Sequence, residues 1–377
     1  MKEVTSYKNG SVLISNNEKI VKLNDGSVHK IPVVNLLALK HLNNKGIELQ
    51  EATTTVCKTE DANDELEAEI NEEMREPISS LKHLMEVTGN KATLISFLKS
   101  CKLMCTKLDC EHCGIEMLVR KYSKVSDGYA YYCSKCKKTS NIRIKSFFAG
   151  SRIDLGDIVM IMYLWSNGVQ AFICRRLLPN LNERTIHDWY SFCRDICIKH
   201  FDDNPTQFNK GNLQTELQID ESIFGKKRKY NRGKNFQRFW IFGISDAENH
   251  KVHIEIVETR DRETLQNIIL KHVIPSKETR IVSDGWAAYN QLQDIGFQHE
   301  VVIHEQEFVN QDGFHTNSIE SVWSQFKNWI NSMHGVSHKC YRSYIAEFMF
   351  RYNYAGSYRG NCFKKLIEEI AKQYHCS

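Results

Sequence analysis

Residues 206–360 predict an α/β fold, a mixed sheet flanked by helices, and three observations carry that expectation. The segments QTELQID, FWIFGISD and KVHIEIVE are successive apolar, β-branched runs of strand length. They are followed by a helical RETLQNIILKHVI, a strand TRIVSDG, a helical WAAYNQLQDIG and a strand HEVVIH. A three-strand meander followed by alternating helix and strand is the order of the ribonuclease H-like fold. Ahead of it, Cys110-x2-Cys113 and Cys133-x2-Cys136 have zinc-ribbon spacing, with helical periodicity on both sides.

Composition bounds the rest. A chain of 377 residues has room for two or three domains, and its 41% hydrophobic and 25% charged residues are ordinary for globular protein. No run reaches the roughly 18–20 apolar residues of a membrane span, and MKEVTSYKNGSV lacks the apolar core of a signal peptide. A soluble intracellular protein without membrane association is expected, in the nucleus if the source is eukaryotic and otherwise in the cytoplasm. Thirteen cysteines are an odd number, and four of them sit at metal-ligand spacing. Reduced thiols with one structural zinc ion fit better than disulfides. A net charge of +4 is too small to specify a polyanionic partner, so the placement of charge matters more than its sum.

Each element follows in order. Residues 1–77 form an N-terminal extension: SVLIS, KIVKL and GSVHKIPVV alternate like a small β-hairpin element, and TEDANDELEAEINEEMRE reads as an acidic, solvated linker or exposed helix. Residues 78–105 predict a helical pair, with Leu81, Leu84 and Met85, then Leu94, Phe97 and Leu98, at helical spacing around a Gly-Asn break. Residues 106–148 are the zinc ribbon: Cys110, Cys113, Cys133 and Cys136 supply four thiolates, while Cys101, Cys105 and His112 are spare ligands nearby. Residues 149–205 are helical and resemble a helix-turn-helix, with ERTIHDWYSFCRD as the recognition helix if they touch DNA. Residues 201–215 read as a polar linker, and 361–377 as a C-terminal helix or tail.

Three carboxylates carry the chemistry. Asp220 lies in the first strand of the α/β domain, Asp284 at the end of the fourth, and Glu320 opens a helix. That helix carries an apolar stripe of Ile319, Val322, Trp323, Phe326, Ile330 and Met333. If the fold brings the acids together they repel, and divalent metal is the usual remedy. Two Mg2+ or Mn2+ ions about 3.5–4 Å apart would suit phosphoryl transfer on nucleic acid. Each acid also has a bland role, since Asp284-Gly285 is a turn dipeptide and Asn317-x-x-Glu320 fits a helix capping box. Glu221 adjoins Asp220, but strand alternation points it to the opposite face, so only one of the two joins the cluster. Trp286 and Trp323 are expected to fill the core beside the site.

With these motifs in place, IDESIFGKKRKYNRGK, SDGWAAY and HTNSIESVWSQFK, behind a ribbon followed by SFF at 146–148, resemble the Merlin group of DNA transposases and their bacterial insertion-sequence relatives. The resemblance spans roughly residues 80–355. It implies a DDE-type transposase that binds terminal inverted repeats, cuts them with magnesium and joins the freed ends to target DNA. The acids carried over are Asp220, Asp284 and Glu320. His315 and Asn317 are candidate auxiliary residues ahead of Glu320. Lys226, Lys227, Arg228, Lys229, Arg232 and Lys234 cluster between the first two strands, where they would neutralise DNA phosphates; KKRK would also serve as a nuclear-import peptide. Double-stranded DNA and a homo-oligomer on paired ends are the expected partners. The rival readings are a host-adopted DNA-binding protein without strand transfer and a ribonuclease H-like nuclease.

Overall fold

The computed structural model describes strands between residues 3 and 32 and residues 78, 80–209, 214–225, 238–302, 315–333, 336–355 and 360–374. The acidic run and the basic residues Lys226, Lys227, Arg228, Lys229, Arg232 and Lys234 lie outside the described residues. The chain divides into two units, Met1–Ala62 and Asn63–Ser377.

The first unit carries a four-stranded antiparallel meander: β1 (Glu3–Tyr7), β2 (Gly10–Ser15), β3 (Glu18–Leu23) and β4 (Val28–Pro32). It is larger than the hairpin read from sequence, because EVTSY also pairs, with Val4 opposite Leu13.

The second unit opens with the expected helical pair, α1 (Leu81–Thr88) and α2 (Lys91–Ser100). Asn90 of the Gly-Asn break caps α2, its carboxamide oxygen accepting from the Ala92 N–H at 2.8 Å. Three short antiparallel strands follow: β5 (Leu118–Lys121), β6 (Tyr129–Tyr132) and β7 (Thr139–Asn141). Arg143 and Asp127, both buried, form a two-point ion pair, with Nε donating to Oδ2 at 2.7 Å, that ties the turn before β6 to the segment after β7.

Residues 149–205 hold three helices rather than two: α3 (Leu155–Ser166), α4 (Ala171–Leu177) and α5 (Glu183–Asp203). The apolar stripe of α5 is committed to packing, with Ile186, Trp189, Tyr190, Cys193, Ile196 and Cys197 buried. Glu183, Arg184, His187 and Asp188 form its exposed side.

The α/β region contains β8 (Thr215–Phe224), β9 (Phe239–Asp246), β10 (Lys251–Val257), α6 (Arg262–His272), β11 (Thr279–Ser283) and β12 (Gln298–Val301). Three helices complete it: α7 (Asn317–Ser332), α8 (Tyr341–Ala355) and α9 (Gly360–Tyr374). The sheet order is β10-β9-β8-β11-β12, antiparallel through β8 and parallel beyond it, so the mixed α/β architecture is as the sequence reads.

Alternation along the strands makes two cores. Leu217, Ile219, Phe242 and Ile244 face α6 with Leu265 and Ile269. On the other face, Ile241, Val252 and Ile254 pack with Ile319, Val322, Trp323 and Phe326 of α7. A third core joins the cysteine-bearing sheet to α1, α2, α3, α5 and α9 through Tyr131, Phe148, Trp165 and Phe363. The edge of β10 is covered by α8: Asn353 pairs with both the N–H and the carbonyl of Val252, at 2.7 and 3.0 Å.

Two expectations are corrected. WAAYNQLQDIG is not an α-helix but a 3-10 turn at Ala287–Tyr289 and a series of turns, with Leu292 N–H donating to Tyr289 O at 3.0 Å. Tyr289, Leu292 and Phe297 are all buried, and i+3 hydrogen bonding brings them under the sheet over a short crossover. Of the 201–215 linker, residues 201–203 belong to α5, and 205–209 are anchored, since Phe208 N–H donates to His272 O at 3.1 Å and Asn209 bonds to Ile274 at both ends.

Candidate active site

The parallel pairing of β8 with β11 sets two of the three acids side by side. Gln218 pairs with Val282, so Asp220 and Asp284 each lie two residues further along neighbouring strands. Glu320 reaches the same place from the first turn of α7. The charges of Asp284 and Glu320 both act on Asp220.

Asp220 lies on the face covered by α7. Its Oδ2 accepts the indole N–H of Trp323 at 2.9 Å. Burial, first, and the neighbouring acids push the Asp220 carboxyl up to about 6, while Trp323 draws it down. Gly243 lies opposite Asp220 in β9, and a Cβ there would stand 2.6 Å from Trp323 Cη2 and 3.0 Å from Ile319 Cδ1. The absence of a side chain at Gly243 is what lets the indole approach the strand closely enough to reach Asp220.

Gln218, on the same face two residues before Asp220, anchors α7. Its Oε1 accepts the backbone N–H groups of Ser318 and Ile319 at 2.8 and 3.2 Å, satisfying two donors that a helix N-terminus leaves open. Its amide nitrogen lies 3.4 Å from His315 Nδ1. The capping-box role considered for Asn317 and Glu320 is not the one observed. Thr316 is the N-cap, without a side-chain cap bond, and its hydroxyl donates to Glu320 Oε1 at 3.1 Å. Asn317 is exposed as the first residue of α7.

Asp284 keeps a turn role as well, its Oδ1 accepting the Trp286 N–H at 3.0 Å. Trp323 fills the core as expected; Trp286 does not. It is 39% exposed, and its indole N–H donates to the Arg260 carbonyl at 3.2 Å. The Arg260 guanidinium lies 3.7 Å from the Trp240 ring centre and 4.4 Å from that of Trp286.

Glu221 points away from α7, as alternation requires, but it is not remote from the acids. Burial, first, and the charges of Asp220 and Asp284 push it up to about 7, with the Tyr289 hydroxyl and Arg260 acting downward. The sequence signal for Gln218 and Gly243 was their register with Asp220, which needs the strand pairing to be read.

Among the described residues, the four cysteines Cys110, Cys113, Cys133 and Cys136 place their sulfurs within 4.8 Å of one another. Each pair spans a tight knuckle: Gly114 N–H donates to Cys110 O at 2.8 Å and Lys137 N–H to Cys133 O at 2.9 Å, with positive φ at both turn ends. The Cys136 backbone N–H on its sulfur helps draw the Cys133 thiol down to about 7. The spare candidates stand aside, since Cys105 Sγ bonds to the Ile144 carbonyl and His112 Nε2 lies 2.7 Å from Lys138 Nζ.

Residues 212–353 match the family model of the ISXO2-like transposase domain. This ISXO2-like region starts just before β8, runs into α8 and contains all three acids. The chain is similar to an uncharacterized protein in transposable element ISH50 of Halobacterium salinarum, 21% identical over 257 residues that cover 64% of this chain and 84% of that protein. Solved structures with some likeness include the HTLV-2 integrase catalytic core domain in complex with magnesium (TM-score 0.24, 12% identity, 37% of this chain and 86% of that one). The simian T-cell lymphotropic virus intasome in complex with PP2A regulatory subunit B56 gamma gives a TM-score of 0.24 at 13% identity, over 38% of this chain and about half, 51%, of that one. The Mos1 transposase paired-end complex with the left transposon end gives 0.19 at 9%, over 57% and 79%. Likeness at that level carries no weight for the fold, which rests on the topology above.

Proposed function

We propose that this chain is a DDE-type DNA transposase of the Merlin group that cuts element ends at terminal inverted repeats and joins them to target DNA. The observation that supports it most is the meeting of Asp220, Asp284 and Glu320, from two adjacent strands and one helix, inside the segment that matches an ISXO2-like transposase domain.

The donor set fits hard divalent cations, because three carboxylates supply oxygen ligands and their mutual repulsion is relieved by positive charge. Two Mg2+ or Mn2+ ions held by Asp220, Asp284 and Glu320 would supply Lewis-acid activation of the attacking and leaving oxygens of a phosphodiester exchange. The chain's own residues hold the ligands in place. Trp323 orients Asp220, Thr316 orients Glu320, and Gln218 fixes the start of α7 relative to β8. His315 and Asn317 stand at that helix start as auxiliary groups toward DNA. Lys226, Lys227, Arg228, Lys229, Arg232 and Lys234 are proposed to neutralise phosphates of the double-stranded substrate.

Cys110, Cys113, Cys133 and Cys136 fit one structural Zn2+, which makes 106–148 a zinc ribbon. The working form is a homo-oligomer on paired ends, in the nucleus of a eukaryotic source or the cytoplasm of a prokaryotic one. No described helix is long and apolar enough to cross a membrane.

The test uses the purified full chain, Mg2+ or Mn2+, and labelled DNA from the inverted repeats flanking its own gene. Cleavage and joining that vanish in Glu320→Gln support the proposal. Hydrolysed ends without joined products would point to a nuclease, and end binding without cleavage to an adopted DNA-binding protein.

A further inference from the structure

On the opposite face of the sheet from α7, at its β10 edge, three side chains converge that the acid cluster does not use. His253 and Glu255 stand two apart on β10 and so share the face toward α6; His272 comes from the last turn of α6. Each offers one ligand atom, and these atoms lie within 4.8 Å of one another. Glu255 Oε2 is 3.3 Å from His253 Nε2 and 3.9 Å from His272 Nε2. The two imidazole centres are 3.6 Å apart.

The protonation of His272 is fixed by its surroundings. Its Nδ1 lies 2.8 Å from the Thr206 carbonyl oxygen, which can only accept, so Nδ1 carries the hydrogen. Nε2 of the neutral ring is therefore a bare lone pair, and it is buried without a hydrogen-bond partner in a residue only 1% exposed. His253, 8% exposed, turns its Nε2 to Glu255 Oε2, a hydrogen bond that a bound ion would replace, while its Nδ1 is buried away from that carboxylate. A buried acceptor left unmatched costs free energy unless something absent from the protein alone satisfies it, and His272 Nε2 is such an acceptor facing Glu255. An imidazole that donates one N–H to a backbone carbonyl and presents its other nitrogen to a carboxylate-lined space is the arrangement found around metal-ligating histidines.

We infer that His253, Glu255 and His272 form a second metal site, for a divalent transition ion of zinc type, at the sheet edge away from the acid cluster. Two imidazoles and one carboxylate are the donor set of open zinc sites; ligand atoms of a tetrahedral ion stand roughly 3.3 Å apart, which the Glu255–His253 pair matches and the Glu255–His272 pair, at 3.9 Å, reaches by a small closing movement. All three residues line a cleft of about 340 Å³, bounded also by Phe201, Thr206 and Met349, with room for a further small ligand. An ion here ties β10 to the end of α6, and through Thr206 to the segment that joins α5 to β8. Lys271 Nζ, 3.7 Å from the same Glu255 oxygen, is the competing cation and must move aside.

The test measures metal bound by full-length protein, with Zn2+ by elemental analysis and Co2+ by absorption. Wild type is expected to bind two tight equivalents: one with the thiolate charge-transfer band of the four cysteines, and one without it. Glu255→Gln, at a half-exposed position that tolerates change, and His272→Gln should each remove the second equivalent while leaving the thiolate band and the circular dichroism intact. Asp220→Asn should leave both equivalents. Lys271→Met should tighten the second by about tenfold, the effect of removing one nearby like charge. A single equivalent in wild type, a second one that survives in both Glu255→Gln and His272→Gln, or one lost in Asp220→Asn or Lys271→Met would overturn the inference.

Discussion

Trp323 donates its indole N–H to Asp220 at 2.9 Å while its ring occupies the space that a side chain at Gly243 would need. Helix α7 therefore does more than deliver Glu320. One turn further on, it also sets the orientation and charge of the acid on the central strand.

Trp323→Phe keeps most of the packing and removes the donor. The Asp220 carboxyl should titrate higher, because the N–H holds it down. Mg2+ binding should weaken by about tenfold, the equivalent of one charge-assisted hydrogen bond. NMR titration of the side chain and the Mg2+ dependence of DNA cleavage check this; an unchanged Asp220 titration would remove Trp323 from the site.

Gly243→Ala should be far costlier than its size suggests. The new methyl would meet two Trp323 ring atoms at 2.6 and 2.7 Å, so the indole must shift and its bond to Asp220 must break. Urea denaturation should show a loss of about 1–3 kcal/mol. Cleavage should fall with it, and the double variant Gly243→Ala, Trp323→Phe should recover part of the stability.

Gln218→Leu leaves the Ser318 and Ile319 N–H groups without their acceptor. A stability loss of about 1–3 kcal/mol is expected, concentrated at the start of α7. Hydrogen exchange should speed up at Ser318 and Ile319 and leave β9 unchanged; uniform exchange across both would argue against local anchoring.

Without divalent metal, stability should fall as pH rises through the acid cluster. Asp220 is raised from 3.8 to about 6 and Glu221 from 4.5 to about 7, so between these limits the folded chain holds protons that the unfolded chain has released. Their stabilising contribution is complete below about pH 4 and gone above about pH 7, a change on the order of 6 kcal/mol for the two together. Melting curves from pH 5 to 7.5 in magnesium-free buffer should show the decline. Asp220→Asn with Glu221→Gln should flatten it, and an equal slope in that variant would assign the effect elsewhere.

Cys133→Ser should abolish zinc binding at the site proposed for the four cysteines, since it removes the ligand whose thiol is already drawn down by the Cys136 N–H. Arg143→Leu should retain the zinc but cost about 3–5 kcal/mol, because it leaves the Asp127 carboxylate buried without its partner. Elemental analysis and thermal melts separate the two.

Much of this was legible in the chain. Period-two and period-3.6 patterning located the strands and α7, because each element has one face that must be buried. Cys-x-x-Cys spacing located the sulfur cluster, because a knuckle is a local structure whose four-residue turn is set by its own backbone. WAAYNQLQDIG misled for the same reason: its apolar spacing suits a helix, while a short crossover under the sheet imposes tighter turns. Tertiary structure alone decided which strand neighbours which, and with that the pairing of Gly243 with Asp220, the reach of Gln218 to α7 and the exposure of Trp286. It also decided that His272, on a helix, faces His253 and Glu255, on a strand. Contacts between residues far apart in the chain depend on the register and packing of whole elements, a choice made by burying all the apolar faces at once and carried by no single segment of sequence.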